Sequence, residues 1–418
     1  MAHMVVARVS SAPCKASGSR RSAVRAQSKA QQEADLRQTV AIVGAGIAGL
    51  ASAVSLERQG FQCLVLERSE TRREGGTAIA LWKNAWRALD YLGVGDELRN
   101  GNHPELDSVE LCAAEGGILK RFSFDECNGG PHEFRGVFRG ELLRALESKL
   151  EQTEIRYGVG VERVTTTETG TGGVVLRTEG GEEMRCLAAV GSNGASSGLC
   201  GLPPTNYAGY RAIRGVANFE GEMPLPSSTV RQVLGRGMRA GMYPISDREV
   251  YWFVCFNGAE GDGPPMERAL EAFRSWGHGV REVIEATAVE DMVASSIRDR
   301  WQSPLAPVGR GNLTLAGDAL HPMTPNLGQG GCCALEDAVV LGRRLGGAAG
   351  GEGMAAALRS YEAERLRRTL KLTVRAGVMG SLLQIDNPLV TAARDAVVSR
   401  AFDPSSFLDH TSYDCREA

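Results

Sequence analysis

Apolar and polar positions follow three rhythms along the chain. Thr39–Val43 and Cys63–Leu66 are short, unbroken apolar runs, the pattern of strands covered on both faces. Between them, Leu50 to Gln59 has helical spacing and closes at Gly60. Leu313–Ala316 is a further apolar run. Leu106–Ala113, Ile118–Phe124, Arg239–Pro244 and Val250–Phe256 also read as strands. The last two are separated by Ser246-Asp247-Arg248, a hairpin turn, and Gly172-Gly173 marks another hairpin. From Met354 onward Ala, Leu, Arg and Glu recur at helical spacing, which predicts a long C-terminal helix broken near Asn387-Pro388. Gly346–Gly353 reads as a linker. These elements predict an α/β chain.

The first apolar strand runs directly into Gly44-Ala45-Gly46-Ile47-Ala48-Gly49, and a helix and a second strand follow. Strand, glycine turn, helix, strand is the context in which a GxGxxG binds a dinucleotide. Gly44 permits the turn, Gly46 admits a pyrophosphate to the backbone, and Gly49 lets helix lie on strand. The pyrophosphate then meets the free N–H groups and positive dipole end of the helix, at Ile47 and Ala48. Glu67 ends the second strand, eighteen residues after Gly49. An acid there accepts the hydroxyls of an adenosine ribose and disfavours a 2′-phosphate. At this point FAD and NAD remain alternatives.

A second motif follows the strand Leu313–Ala316. Gly317-Asp318-Ala319 leads into His321-Pro322-Met323-Thr324-Pro325-Asn326-Leu327-Gly328-Gln329-Gly330-Gly331, which opens a helix running through Glu336-Asp337. An aspartate at a strand end can bond a sugar or ribityl hydroxyl. The glycines at the helix start leave N–H groups for a phosphate or an electron-rich ring edge. A plain glycine-rich helix start is the competing reading.

The run from Gly317 to Asp337 resembles the GD box of the single-component (group A) flavoprotein monooxygenases, the class of p-hydroxybenzoate hydroxylase, salicylate hydroxylase and zeaxanthin epoxidase. It is most like the plant or algal chloroplast-type branch. Further resemblances occur in order: Thr77–Leu81 with Asn84, Leu89 and Leu92-Gly93; Phe138-Arg139 with Leu142 and Leu146; and Tyr207–Tyr210 with Arg214-Gly215. Together they cover roughly residues 38–370. The resemblance implies a Rossmann-like FAD-binding domain of the p-hydroxybenzoate hydroxylase type, made of residues 38–106, 136–200 and 303–345. A substrate domain with a mixed, largely antiparallel sheet, residues 107–135 and 201–302, would interleave with it. Residues 354–418 would add a helical region.

By the same resemblance Gly44, Gly46, Ile47, Ala48, Gly49, Glu67 and Arg139 bind the ADP half of FAD, and Asp318 the ribityl chain. Pro325, Gly328, Gly330 and Gly331 lie against the isoalloxazine, with Pro325 and Gly328 as the flavin-positioning pair. The implied reaction uses NAD(P)H and O2. A C4a-hydroperoxyflavin passes oxygen to an electron-rich aromatic, quinone-like or isoprenoid substrate, which is hydroxylated or epoxidised. Only one dinucleotide fingerprint is present, in keeping with a pyridine nucleotide that visits a surface groove.

The family's second box departs from its pattern. Residues 191–200 read Gly-Ser-Asn-Gly-Ala-Ser-Ser-Gly-Leu-Cys, with Asn193 in place of an aspartate and Cys200 in place of an arginine. This keeps two alternatives in view: an oxidoreductase of the same fold that inserts no oxygen, and a flavin-binding protein with weakened turnover. Arg214, Tyr243 and Trp252 are candidate substrate-facing residues. Tyr251, Phe253 and Phe256 share the same strands, and sheet core is the plainer reading for any one of these aromatics. His321 is expected to be a loop-packing histidine.

Composition narrows the picture. Across 418 residues the net charge is −3, so no basic field points to nucleic acid. Glycine is abundant, 52 residues without a collagen period, which fits tight turns and backbone close to a ligand. Ten cysteines form no CxxC pair and the six histidines show no ligand spacing. No structural metal and a reducing compartment are expected. Residues 1–32 hold six basic side chains and no acid, with six serines and seven alanines, the composition of an organelle transit peptide. Val24-Arg25-Ala26 resembles a green-algal chloroplast cleavage site. Residues 1–37 are therefore expected to be leader and linker, with cleavage near Ala26. The uncharged stretch Gln38–Leu56 is dominated by small residues and does not predict a membrane span. Peripheral contact with a membrane through one face stays open.

Overall fold

The computed structural model describes residues 36–72, 77–167, 172–261, 266–306, 308–348 and 353–417. The expected leader therefore lies almost wholly outside the described residues.

Thr39–Val43 is the centre of a five-stranded parallel sheet. Its order is Leu313–Leu315, Ala188–Gly191, Thr39–Val43, Gln62–Leu66, Glu154–Arg156. All five residues of the central strand are buried, which explains the unbroken apolar run. The helix Ile47–Glu57 is buried from Ile47 through Leu56 because a second helix, Gly330–Ala348, lies across it. Small residues set that approach: a side chain at Gly342 would overlap the Ser55 hydroxyl. The expected linker from Gly346 is corrected in part. The helix continues through Gly346 and Gly347 to Ala348, and 349–352 lie outside the described residues.

A seven-stranded mixed sheet stands beside this unit. Its order is Val293–Asp299, Asn206–Asn218, Glu249–Asn257, Met238–Pro244, Thr229–Leu234, Ser108–Ala113, Ile118–Ser123. Every neighbouring pair is antiparallel except Thr229–Leu234 with Ser108–Ala113, which is parallel. One face carries Ala240, Met242, Trp252 and Val254 into a core closed by the helices Met266–Glu271 and Val280–Glu285. The other face carries Tyr243 and Tyr251 into the large core shared with the parallel sheet. A two-stranded ribbon, Ala78–Trp82 with Phe134–Phe138, runs antiparallel between the two units.

The C-terminal helix spans Met354–Leu383 and packs along Gly330–Ala348. Its expected break is real. The helix ends at Leu383, and Pro388–Ala401 begins afresh with the Asn387 side chain accepting from the Leu389 and Val390 N–H groups and Pro388 in the first turn. Among the described residues no helix is long and apolar enough to cross a membrane.

Candidate functional site

The carboxyl ends of the parallel strands carry both motifs. Gly44 adopts φ +107°, a left-handed conformation that favours glycine, and a side chain there would meet the Ser192 carbonyl at 2.8 Å. A side chain on Gly49 would overlap the Gly44 carbonyl, so this glycine is fixed by packing alone. At Gly46 the nearest atom to an added methyl is the Arg139 guanidinium, 3.9 Å away, so the space over the turn is open. The first N–H groups of the helix, at Ile47, Ala48 and Gly49, face it, and the helix's first bond is Leu50 N–H to the Gly46 carbonyl.

Glu67 has a task the sequence did not suggest. Its Oε2 accepts from the Ala45 N–H at 2.8 Å and its Oε1 from the Ser69 N–H at 2.9 Å. The carboxylate therefore ties the glycine turn to the end of the second strand.

Gly317 (φ +61°) turns the chain out of Leu313–Leu315 against Ala48. Asp318 then lies in a recess: protein crowds it, yet its carboxylate surface is open, and no residue bonds it among those described. This crowding raises its carboxyl above the ordinary range, against the pull of His321 and Arg139, while Asp337 adds to the rise. A methyl at Gly330 would lie 3.9 Å from Asp318 Oδ1, and one at Gly331 would overlap Ile79. Gly328 takes φ +62° with Trp82 Nε1 3.1 Å from its added-methyl position. The candidates thus follow one another in space: Gly46 beside Arg139, Gly317 against Ala48, and Gly330 beside Asp318. Unpartnered carboxylate, glycine turns and two helix starts suit a long, phosphate-bearing dinucleotide. Those residues fit FAD.

A buried charge network stands behind the loop. Asp337 Oδ2 accepts from the Gly317 N–H (2.7 Å) and meets His321 Nε2 (2.7 Å), and its Oδ1 accepts from Arg365 Nε (2.7 Å). Glu336 accepts from Arg365 (2.6 Å), Arg368 (3.2 Å) and Asn84 (2.6 Å). Burial alone would raise the Asp337 carboxyl; His321 and Arg365 beside it hold it at about 2. His321 is a packing histidine, 2% exposed, whose bond to Asp337 clamps the turn. Asn326 pins the loop to its surroundings: its Oδ1 accepts from Tyr210 (3.1 Å) and Arg239, and its amide donates to the Ala376 carbonyl at 2.7 Å. Arg300 ties the second box to this turn, donating to the carbonyls of Ala195 (2.9 Å) and Ala319 (3.1 Å). Asn193 is exposed beside Gly44.

The inner face of the seven-stranded sheet meets the loop through the Tyr210 and Arg239 bonds to Asn326. Strand alternation places Arg214, Tyr243, Tyr251, Phe253 and Arg239 on it. Trp252 is a correction. It points to the opposite face, is 1% exposed, and donates its indole N–H to Thr287 at 2.8 Å. The residues that sequence reading passed over are Arg239 and Asn326, and no periodicity could have marked them. Among the described residues no group of His, Cys, Asp and Glu is arranged to hold a metal.

Comparison with known proteins agrees with this geometry. The family model described as an FAD binding domain matches residues 37–376. Monooxygenase 1 of Arabidopsis thaliana is 32% identical over 397 residues, 90% of this chain and 98% of the relative. The chloroplastic zeaxanthin epoxidase of Solanum lycopersicum is 28% identical over 88% of this chain and 57% of its own length. The crystal structure of Klebsiella pneumoniae HpxO with FAD and uric acid superposes with a TM-score of 0.78 at 26% identity, covering 90% of this chain and 96% of that one. The chain belongs to the FAD-binding-domain family of flavoprotein monooxygenases.

Proposed function

We propose that this FAD-dependent monooxygenase draws its electrons from NAD(P)H, and that Gly44, Gly46, Ile47, Ala48, Gly49, Glu67, Arg139, Asp318, Pro325, Gly328, Gly330 and Gly331 hold its flavin. Reduced FAD, when bound, supplies the activation of O2. The chain's own residues do the rest. The helix start at Ile47 takes the pyrophosphate, and Asp318 orients the ribityl chain. The Pro325–Gly331 loop, pinned by Asn326, fixes the ring against the inner face of the mixed sheet. Tyr243, Tyr251 and Phe253 exclude water there and Arg214 orients a small, electron-rich substrate. The single observation that carries this reading is the exposed Asp318, its carboxylate without a bonded partner among the described residues, beside Gly330 and just after the Gly317 turn that meets Ala48.

Purified holoprotein should oxidise NAD(P)H with consumption of O2 and give a hydroxylated or epoxidised product from a panel of aromatic, quinone and carotenoid candidates. NAD(P)H oxidation that yields only hydrogen peroxide with every candidate would refute oxygen insertion. We also infer a chloroplast location from the acid-free, Arg- and Ser-rich residues 1–32. A reporter carrying residues 1–40 should enter plastids, and cytosolic retention would overturn that placement.

A further inference from the structure

The two long helices near the C-terminus leave an apolar side uncovered. Among the described residues ten large apolar side chains stand exposed, and five of them fall within residues 378–397. In the helix Pro388–Ala401 only Thr391 is buried, whereas Leu389 is 81% exposed and Val390 and Val397 stand open with it. A surface helix that packs on a soluble core has the reverse arrangement. Leu389, Ala393, Val397 and Arg400 recur at three- and four-residue spacing and form one stripe. On the preceding helix, Met354–Leu383, the exposed Arg367, Lys371, Val378 and Leu382 form a second stripe, with the half-buried Val374 between them. Trp301, itself half exposed, lies against this helix at Gly377, where an added methyl would be 3.1 Å from its ring. Arg394 joins the two helices by donating to the Leu383 carbonyl at 3.4 Å.

The same segment is basic in a chain that is acidic overall. Residues 365–401 carry seven arginines and lysines against two aspartates, while the whole chain has a net charge of −3. Both aspartates are engaged, Asp386 by Arg236 (3.4 Å) and Asp395 by Arg394 (2.8 Å). Arg365 and Arg368 pair with Glu336, and Arg375 with Asp409. That leaves Arg367, Lys371 and Arg400, all exposed, none with a hydrogen bond or ion pair among the described residues. A second copy of the chain would bring the same cations to a shared face and no free acid to meet them. Uncovered aliphatic side chains, a half-exposed tryptophan and unopposed cations instead complement a surface that is apolar inside and anionic at its rim.

We propose that the protein docks on an anionic lipid bilayer through the outer sides of these two helices, with Leu382, Leu389 and Val397 among the acyl chains and Arg367, Lys371 and Arg400 at the lipid phosphates. Among the described residues no helix is long and apolar enough to span, so the contact is peripheral. The opposite side of the first helix holds the flavin loop: the Ala376 carbonyl accepts from the Asn326 amide at 2.7 Å, and a methyl at Gly380 would overlap that amide. Docking therefore brings the loop to about one helix diameter, roughly 10 Å, from the lipid. The inference is independent of the electron donor and of the substrate.

The test is sedimentation of holoprotein with vesicles of phosphatidylcholine containing phosphatidylglycerol, beside vesicles of phosphatidylcholine alone. Binding to the anionic vesicles should be about tenfold tighter or more, and should fall as salt is raised. Arg367→Gln, Lys371→Gln and Arg400→Gln together should weaken it about a hundredfold, near fivefold for each cation. Leu389→Ser with Val397→Ser should weaken it about tenfold or more. Both sets of exposed changes should leave FAD content and melting temperature unchanged. Four outcomes would overturn the proposal: no binding to anionic vesicles, equal affinity for the two kinds of vesicle, binding that the Leu389 and Val397 changes do not weaken, or a holoprotein dimer that those changes convert to monomer. The last would make this face an interface between copies of the chain.

Discussion

Replacing Arg365 by methionine should damage the flavin site from behind, without touching the cleft. Arg365 is completely buried and bonds both Glu336 (2.6 Å) and Asp337 (2.7 Å), which are themselves completely buried. Removing it leaves Arg368 on Glu336 at 3.2 Å and His321 on Asp337 at 2.7 Å, so two buried carboxylates lose the one guanidinium that they share. Breaking a buried pair this way costs about 3–5 kcal/mol, a large share of the roughly 5–15 kcal/mol that holds a protein folded. For a chain of this size that is a melting point lower by about 3–6 °C. The FAD-release temperature should fall with it, because Asp337 also holds the Gly317 N–H that sets the turn before Asp318. Thermal melts followed by circular dichroism and by flavin fluorescence, at one FAD concentration, measure both. Adding Asp337→Asn to Arg365→Met should recover part of the loss, since Glu336 still pairs Arg368 and no buried carboxylate is then left without a cation. A single variant melting within about 2 °C of wild type would show that the network is not what holds the turn.

Other expectations follow from the same geometry. Asp318→Ala should weaken FAD about ten- to a hundredfold, the value of roughly 1.5–3 kcal/mol for a charge-assisted bond, read by equilibrium titration of apoprotein. Gly49→Ala should destabilise the apoprotein, because its methyl would overlap the Gly44 carbonyl. Gly46→Val should leave the apoprotein melt unchanged yet abolish flavin uptake. His410 is held neutral at about 4 by burial, with the nearby Arg375 charge adding to the effect. The unfolded chain therefore binds its proton first, and stability should fall by about 3 kcal/mol as pH drops from 6.5 to 4. His410→Phe should flatten that part of the pH–melting curve. Trp252→Phe should cost about 1 kcal/mol through the lost Thr287 bond and leave substrate KM unchanged.

Why some of this was legible in the sequence and some was not comes down to range. The glycine turn and the Gly317–Asp337 loop are local: strand, turn and helix start are adjacent in the chain, and positive φ at Gly44, Gly317 and Gly328 demands glycine there. The phase of the strand Glu249–Asn257 is not local. Its two faces are both buried, one carrying Tyr251 and Phe253 and the other Trp252 and Val254. Alternation then separates the faces without saying which of them meets the flavin loop, and Trp252 was assigned to the wrong one. Arg239 and Arg365 fail for a related reason. An arginine in a strand, or in a helix rich in Arg and Glu, reads as a solvated side chain. Their burial depends on partners far along the sequence, Asn326 for Arg239 and the Glu336-Asp337 pair for Arg365. Those partners are themselves inside or just after the flavin-binding motif. The motif residues are visible in the sequence; the buried arginines that pin the motif loop and the helix behind it are not. Sequence alone therefore shows the local motifs and hides the partners that they meet across the fold.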